Sequence, residues 1–103
     1  LTNQARCIAL DHIGMGKSDK PDIDYGFIDS SNYLEEFINK LGLKNVTLVL
    51  HDWGAMLGFH YANMNRDNVK AIAFMEASID VPRFETMPPS IKFALSLINS
   101  IIR

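Results

Sequence analysis

The sequence predicts an α/β fold, a parallel sheet flanked by helices, and three stretches carry that expectation. Residues 46–50 run Val-Thr-Leu-Val-Leu with almost no polarity, which is how a strand buried on both faces of a parallel sheet reads. A helical pattern follows at once, over residues 53–64. Residues 69–75 then repeat the apolar strand signature and end at Glu76. Strand, helix and strand joined by short polar links require right-handed crossovers and a parallel sheet covered by helices.

The totals narrow the function classes. A chain of 103 residues holds one small domain, and 48% hydrophobic residues are enough for a core. A formal net charge of −2 gives no electrostatic attraction to nucleic acid or to an anionic membrane, so neither is expected as a partner. No apolar run approaches the length of a membrane span. The single cysteine, Cys7, lies in an apolar strand-like run, so it forms no intrachain disulfide and is not expected to do redox chemistry. With no signal peptide visible, the expected location is cytoplasmic. The chain opens at Leu1 without a Met and stops at Arg103 inside an apolar helical pattern, which reads as an internal piece of a longer protein.

In chain order, residues 6–10 (Arg-Cys-Ile-Ala-Leu) read as a first buried strand. They lead into a loop over residues 11–21 that contains Gly14, Gly16 and Pro21. Its Gly-x-Gly lacks a third glycine and opens no helix, so neither a dinucleotide nor another cofactor is expected there. From Asp29 the pattern turns helical, with Tyr33, Leu34, Phe37, Ile38 and Leu41 forming one apolar stripe. Asp29, Ser30 and Ser31 are candidate N-caps, and Gly42 is placed to end the helix in a left-handed conformation. Glu35, Glu36 and Lys40 form its solvated face.

In the helix over residues 53–64, Trp53, Met56, Leu57, His60, Tyr61 and Met64 share a face, while Gly54, Ala55 and Gly58 keep its start slim. Residues 65–68 are a polar turn. Beyond Glu76, Pro82, Pro88 and Pro89 break the chain into an irregular connection. Ile91, Ala94, Leu95, Ile98, Ile101 and Ile102 mark a last amphipathic helix, the beginning of an insertion on the carboxyl-end side of the sheet.

The chemistry is expected at those carboxyl ends, where open parallel sheets bind their ligands. Asp52 follows the second strand and Glu76 the third. Asp52 alone reads equally as a helix N-cap. Flanked by His51, Trp53 and small residues on a strand-to-helix turn, it has the setting of a nucleophile elbow in which Asp replaces Ser. A serine there needs an electrophilic carbonyl and a neighbouring base. A carboxylate is already ionised at neutral pH and can attack a saturated carbon in line. The product is an ester, which water then hydrolyses.

His51-Asp52-Trp53-Gly54 with Gly58-Phe59-His60-Tyr61-Ala62 resembles the nucleophile segment of haloalkane dehalogenases of the α/β-hydrolase fold. The loop from Asp11 to Pro21 is similar to the one after that family's preceding strand. Phe74-Met75-Glu76 is similar to the strand carrying its catalytic acid. The resemblance implies a partial α/β-hydrolase core over residues 1–81 and the beginning of a helical lid over residues 82–103. It implies Asp52 as nucleophile. Trp53 would hold the departing halide through its indole N–H and add its backbone N–H to the oxyanion hole. Glu76 would orient and charge-stabilise a catalytic histidine. The substrate would be a small halogenated apolar molecule, with water as co-substrate and no cofactor or metal.

None of His12, His51 and His60 matches the family's catalytic histidine, which follows a much later strand. His51 is expected to point away from the site. The family's second halide-binding residue and other oxyanion donor are missing too, so a chain of this extent is expected to stall as the ester. Epoxide hydrolases share His-Asp-Trp-Gly, although Glu76 after the third strand favours the dehalogenases. Coelenterazine luciferases are also similar, including around residues 78–81. A non-catalytic binding module that retains the elbow is the alternative from outside the enzymes.

Overall fold

The computed structural model describes residues 1–77, 88–90, 92, 93 and 96. Helix α1 spans Phe27–Lys40, strand β1 Val46–His51, helix α2 Asp52–Met64 and strand β2 Val69–Met75, with a 3-10 turn at Arg66–Asn68 before β2. The two strands pair in parallel, with Leu48 opposite Ile72, Leu50 opposite Phe74 and His51 opposite Met75. Helix α2 is the crossover between them, the layered α/β arrangement expected. Residues 78–81 lie outside the described residues, and of the expected lid over residues 82–103 only 88–90, 92, 93 and 96 are described. Of that stretch, Pro89, Ser90, Lys92, Phe93 and Ser96 are helical, and Lys92 N–H donates to the Pro88 carbonyl at 3.1 Å.

Helix α1 begins two residues before Asp29. Its N-cap is Gly26, and Asp29 works from inside the first turn, its Oδ2 accepting the Gly26 N–H at 3.3 Å. An acid in the third helical position reaches back to the cap, so it need not occupy the cap itself. At the other end Gly42 has φ 62°. Gly42 N–H donates to Asn39 O at 3.0 Å and Leu43 N–H to Ile38 O at 3.1 Å, a Schellman close. Leu34 and Ile38 are buried, but Tyr33 and Leu41 at the edges of the expected stripe are exposed, and Ser31 is buried in their stead. Lys40 and Glu36 lie 4.0 Å apart in solvent, whereas Glu35 is half-buried and accepts Asn65 Nδ2 at 3.4 Å.

The inward face of α2 joins small residues to large ones. Of the larger side chains Leu57 and Tyr61 are buried and Trp53 and Met64 exposed, and the small Ala55 and Gly58 are buried as well, which lets the helix pack close as expected. A Cβ on Gly58 would collide with both Leu50 methyls, so helix and strand touch at a distance that only glycine permits. Leu34, Ile38, Leu57 and Tyr61 form the core between the helices, and Leu10, Leu43, Leu48 and Val69 pack around it. Edge-to-face contacts of Phe27 with His60 and of Phe59 with Phe74, at 5.3 Å and 5.4 Å, tie α2 to α1 and to β2.

Two strand expectations are corrected. β1 is not buried on both faces: Leu50 faces the core, while Thr47, Val49 and His51 are exposed. Among the described residues, the helices cover one side of the sheet only. Residues 6–10 form no strand, because no described strand edge pairs with them, and Cys7 and Ile8 are exposed rather than buried. A short apolar run records the propensity for a strand. Only a pairing partner distant in sequence makes one.

Candidate functional site

Parallel pairing is what brings the two acids together. His51 and Met75 are register partners, so Asp52 and Glu76 each leave the sheet one step later, on the same rim. Both do so in a left-handed backbone conformation, φ 50° at Asp52 and φ 47° at Glu76. Non-glycine residues in that region store backbone strain, which typically gathers at functional turns. At Asp52 the chain turns from the extended conformation of His51 (φ −144°, ψ 138°) straight into α2, of which Asp52 is the first residue. Its carboxylate therefore stands at a helix N-terminus, beside backbone N–H groups that have no intrahelical acceptor. Trp53 follows in the first turn, 69% exposed, its ring uncovered on the same rim.

His51 does not point away from the site. Its Nε2 lies 3.1 Å from Glu76 Oε2. Period-two alternation misleads here, because the positive φ at Glu76 ends the regular pleat and turns its side chain toward the register partner of Met75. His12, on the loop after residues 6–10, also reaches the elbow: its Nε2 stands 3.8 Å from where a Cβ of Gly54 would be. Neither contact leaves a local trace in the sequence, since both join residues whose proximity depends on tertiary pairing. His60 is accounted for by Phe27.

A groove of about 300 Å³ runs beneath the elbow, lined by Ile8, Leu10, His12, Gly54, Gly58 and residues 47–51. It takes side chains from both faces of β1, so it follows the strand edge that β2 leaves open. The neighbouring loop is held by its own polar groups. Asp11 Oδ2 accepts Lys17 N–H at 2.9 Å, and Lys20 Nζ donates to the Gly16 and Ser18 carbonyls at 2.8 Å and 3.0 Å. Its Gly-x-Gly is thus a turn wrapped around Asp11. Among the described residues, no group of three or more His, Cys, Asp or Glu side chains converges as metal ligands would.

A family model described as the alpha/beta hydrolase fold matches residues 1–98. The chain belongs to the alpha/beta hydrolase fold family. Within that family it is similar to a haloalkane dehalogenase of Mesorhizobium japonicum, 48% identical over 80 residues, which are 78% of this chain and 26% of that protein. It is also similar to the coelenterazine h 2-monooxygenase of Renilla reniformis, 42% identical over 98 residues, 93% of this chain and 32% of that one. Among solved structures, a haloalkane dehalogenase from Bradyrhizobium elkani superposes with a TM-score of 0.73 at 36% identity, covering 82% of this chain and 30% of that one. This alpha/beta hydrolase chain thus spans between a quarter and a third of the length of those relatives. Among its described residues no helix is long and apolar enough to cross a membrane.

Proposed function

We infer that the chain carries the nucleophile and acid of a hydrolase that cleaves carbon–halogen bonds of haloalkanes. The observation that bears most weight is the common rim of Asp52 and Glu76, each one residue past a register pair and each in a left-handed turn. Similarity to haloalkane dehalogenases across that same span supports the choice of chemistry.

In this reading an Asp52 oxygen attacks the halogen-bearing carbon from the side opposite the halogen. The carbon–halogen bond breaks as the carbon–oxygen bond forms, and the halide leaves with the bonding pair. The Trp53 indole N–H donates to the halide as its charge develops, and Trp53 backbone N–H supports the oxyanion when water later attacks the ester. That second step needs a base to take the proton of water. Glu76 would orient an imidazole for this task and stabilise the charge it gains. No histidine of this chain is assigned as that base, so the chain by itself forms the ester once and stops. Residues 82–103 are the start of the lid that would close over the substrate.

The test is intact-mass spectrometry of the chain after incubation with 1-bromobutane. The expected result is one butyl adduct per chain, mapped to Asp52, with one bromide released and no adduct in Asp52→Ala. Repeated turnover would refute the stalled ester, and an adduct elsewhere would refute the nucleophile.

A second reading is favoured by one observation. The match to the coelenterazine monooxygenase covers 98 residues of the chain, more than the 80 of the dehalogenase match. Under that reading the same pocket takes a coelenterazine and oxygen, and light emission on mixing with coelenterazine separates it from dehalogenation.

A further inference from the structure

The Glu76 side chain is 85% exposed, so packing does not hold it. A glutamate so exposed samples several rotamers unless a partner selects one. Among the described residues, the partner of its carboxylate is His51, with Nε2 3.1 Å from Oε2. A neutral imidazole has one N–H. Placed on Nε2, it engages one oxygen of Glu76 and leaves the other free to accept from a second imidazole.

The contact is set by the fold. His51 opposes Met75 in the register, and the positive φ at Glu76 turns its carboxylate back across the strand end. His51 is also the residue directly before Asp52. The hydrogen bond therefore ties the acid to the nucleophile through a single peptide unit. As an exposed pair it contributes little to stability. Its consequence is geometric.

We propose that His51 is the positioning residue of Glu76, fixing one carboxylate oxygen so that the other is presented to the base of the ester-hydrolysis step. This rests on the reading of Asp52 and Glu76 given above, and its test separates the two. Glu76 is first followed by NMR in the 103-residue chain. Its Hα–Hβ couplings are unequal, the mark of one held rotamer. They collapse to averaged values in His51→Ala and return in His51→Gln, which keeps an N–H donor at similar reach. Should His51→Ala fail to fold, Glu76→Gln reports the same contact through the His51 ring nitrogen shifts, which move.

The second readout is chemical rescue. Free imidazole is added to the butylated chain as the missing base, and loss of the adduct is timed. His51→Ala raises several-fold the imidazole concentration needed for half-maximal hydrolysis, and His51→Gln restores it. The alkylation step, in which Glu76 takes no part, serves as internal reference. Averaged Glu76 couplings in the unaltered chain, or couplings and imidazole dependence that ignore His51→Ala, overturn the proposal. If no adduct forms, the haloalkane reading falls, and the couplings alone decide whether His51 positions Glu76.

Discussion

Asp52 and Glu76 are equivalent in the sheet: each stands one residue beyond a register partner, His51 or Met75, and each adopts a left-handed backbone, at φ 50° and 47°. A strand end that turns so sharply aims its carboxylate away from the pleat, at a backbone cost of about 1 kcal/mol for a residue with a Cβ. Replacement by glycine removes that cost. Asp52→Gly is therefore expected to raise the unfolding free energy by about 1 kcal/mol while abolishing the alkyl adduct, the trade of stability against function found at strained sites. Urea denaturation beside intact-mass analysis checks both halves.

At Glu76 the opposite substitution is the sharper test. Valine tolerates a positive φ poorly because its branched Cβ meets the following carbonyl. Glu76→Val is expected to destabilise the chain by about 1–2 kcal/mol, against a near-neutral Glu76→Gln. Equal midpoints for the two variants would show that the turn relaxes without strain.

The contact of Gly58 with Leu50 sets the distance between α2 and β1. A methyl group on Gly58 meets the end of a side chain that is itself buried, so Leu50 cannot swing into solvent. Gly58→Ala is expected to cost about 1–3 kcal/mol as an overpacked site. Gly54→Ala is the control. Its added Cβ would lie 3.8 Å from His12 Nε2, an ordinary contact, and the gain in helix propensity makes it neutral or stabilising by about 0.5 kcal/mol. Paired thermal melts distinguish the two glycines.

Asn68 joins three parts of the chain. Its Oδ1 accepts Asn45 N–H at 3.1 Å, and its Nδ2 donates to Leu43 O at 3.0 Å and to Tyr61 Oη at 2.8 Å. Asn68→Ala leaves those partners unpaired near the core and is expected to cost about 1–3 kcal/mol. Tyr61→Phe removes one of the bonds, at about 1 kcal/mol. Because the two residues share that bond, the double variant is expected to cost less than the sum of the singles, as a double-mutant cycle in urea would show.

Ser31 presents the reverse situation. It is buried on α1, and among the described residues no group pairs with its Oγ. Ser31→Ala removes a desolvated hydroxyl without opening a sizeable cavity and improves helix propensity. It is expected to stabilise by about 1 kcal/mol. Destabilisation of that size would mean that the hydroxyl has a partner.

What could be read from the residues in order was whatever is local. The runs at 46–50 and 69–75, the helical stripe around Leu34 and Ile38, and Gly42 at a helix end all express preferences set within a few positions. Each appears in the structure within one or two residues of its expected place. The presence of an acid at the end of each of two apolar runs was legible for the same reason. Family membership was legible through motifs short enough to survive in a chain covering 26% of a relative.

Pairing and packing were not local, and there the tertiary structure decided. Residues 6–10 have the composition of a strand but pair with no described strand, and residues 6–9 stay exposed. Which large side chains of α2 go inside was settled by packing: Leu57 and Tyr61 are buried, while Trp53 and Met64 are exposed. The meeting of His51 with Glu76 required two strands in one register and one residue with positive φ, joining positions 25 apart. Alternation along a strand holds only while the pleat continues, and the chemistry proposed for this chain stands at the residues where the pleat stops.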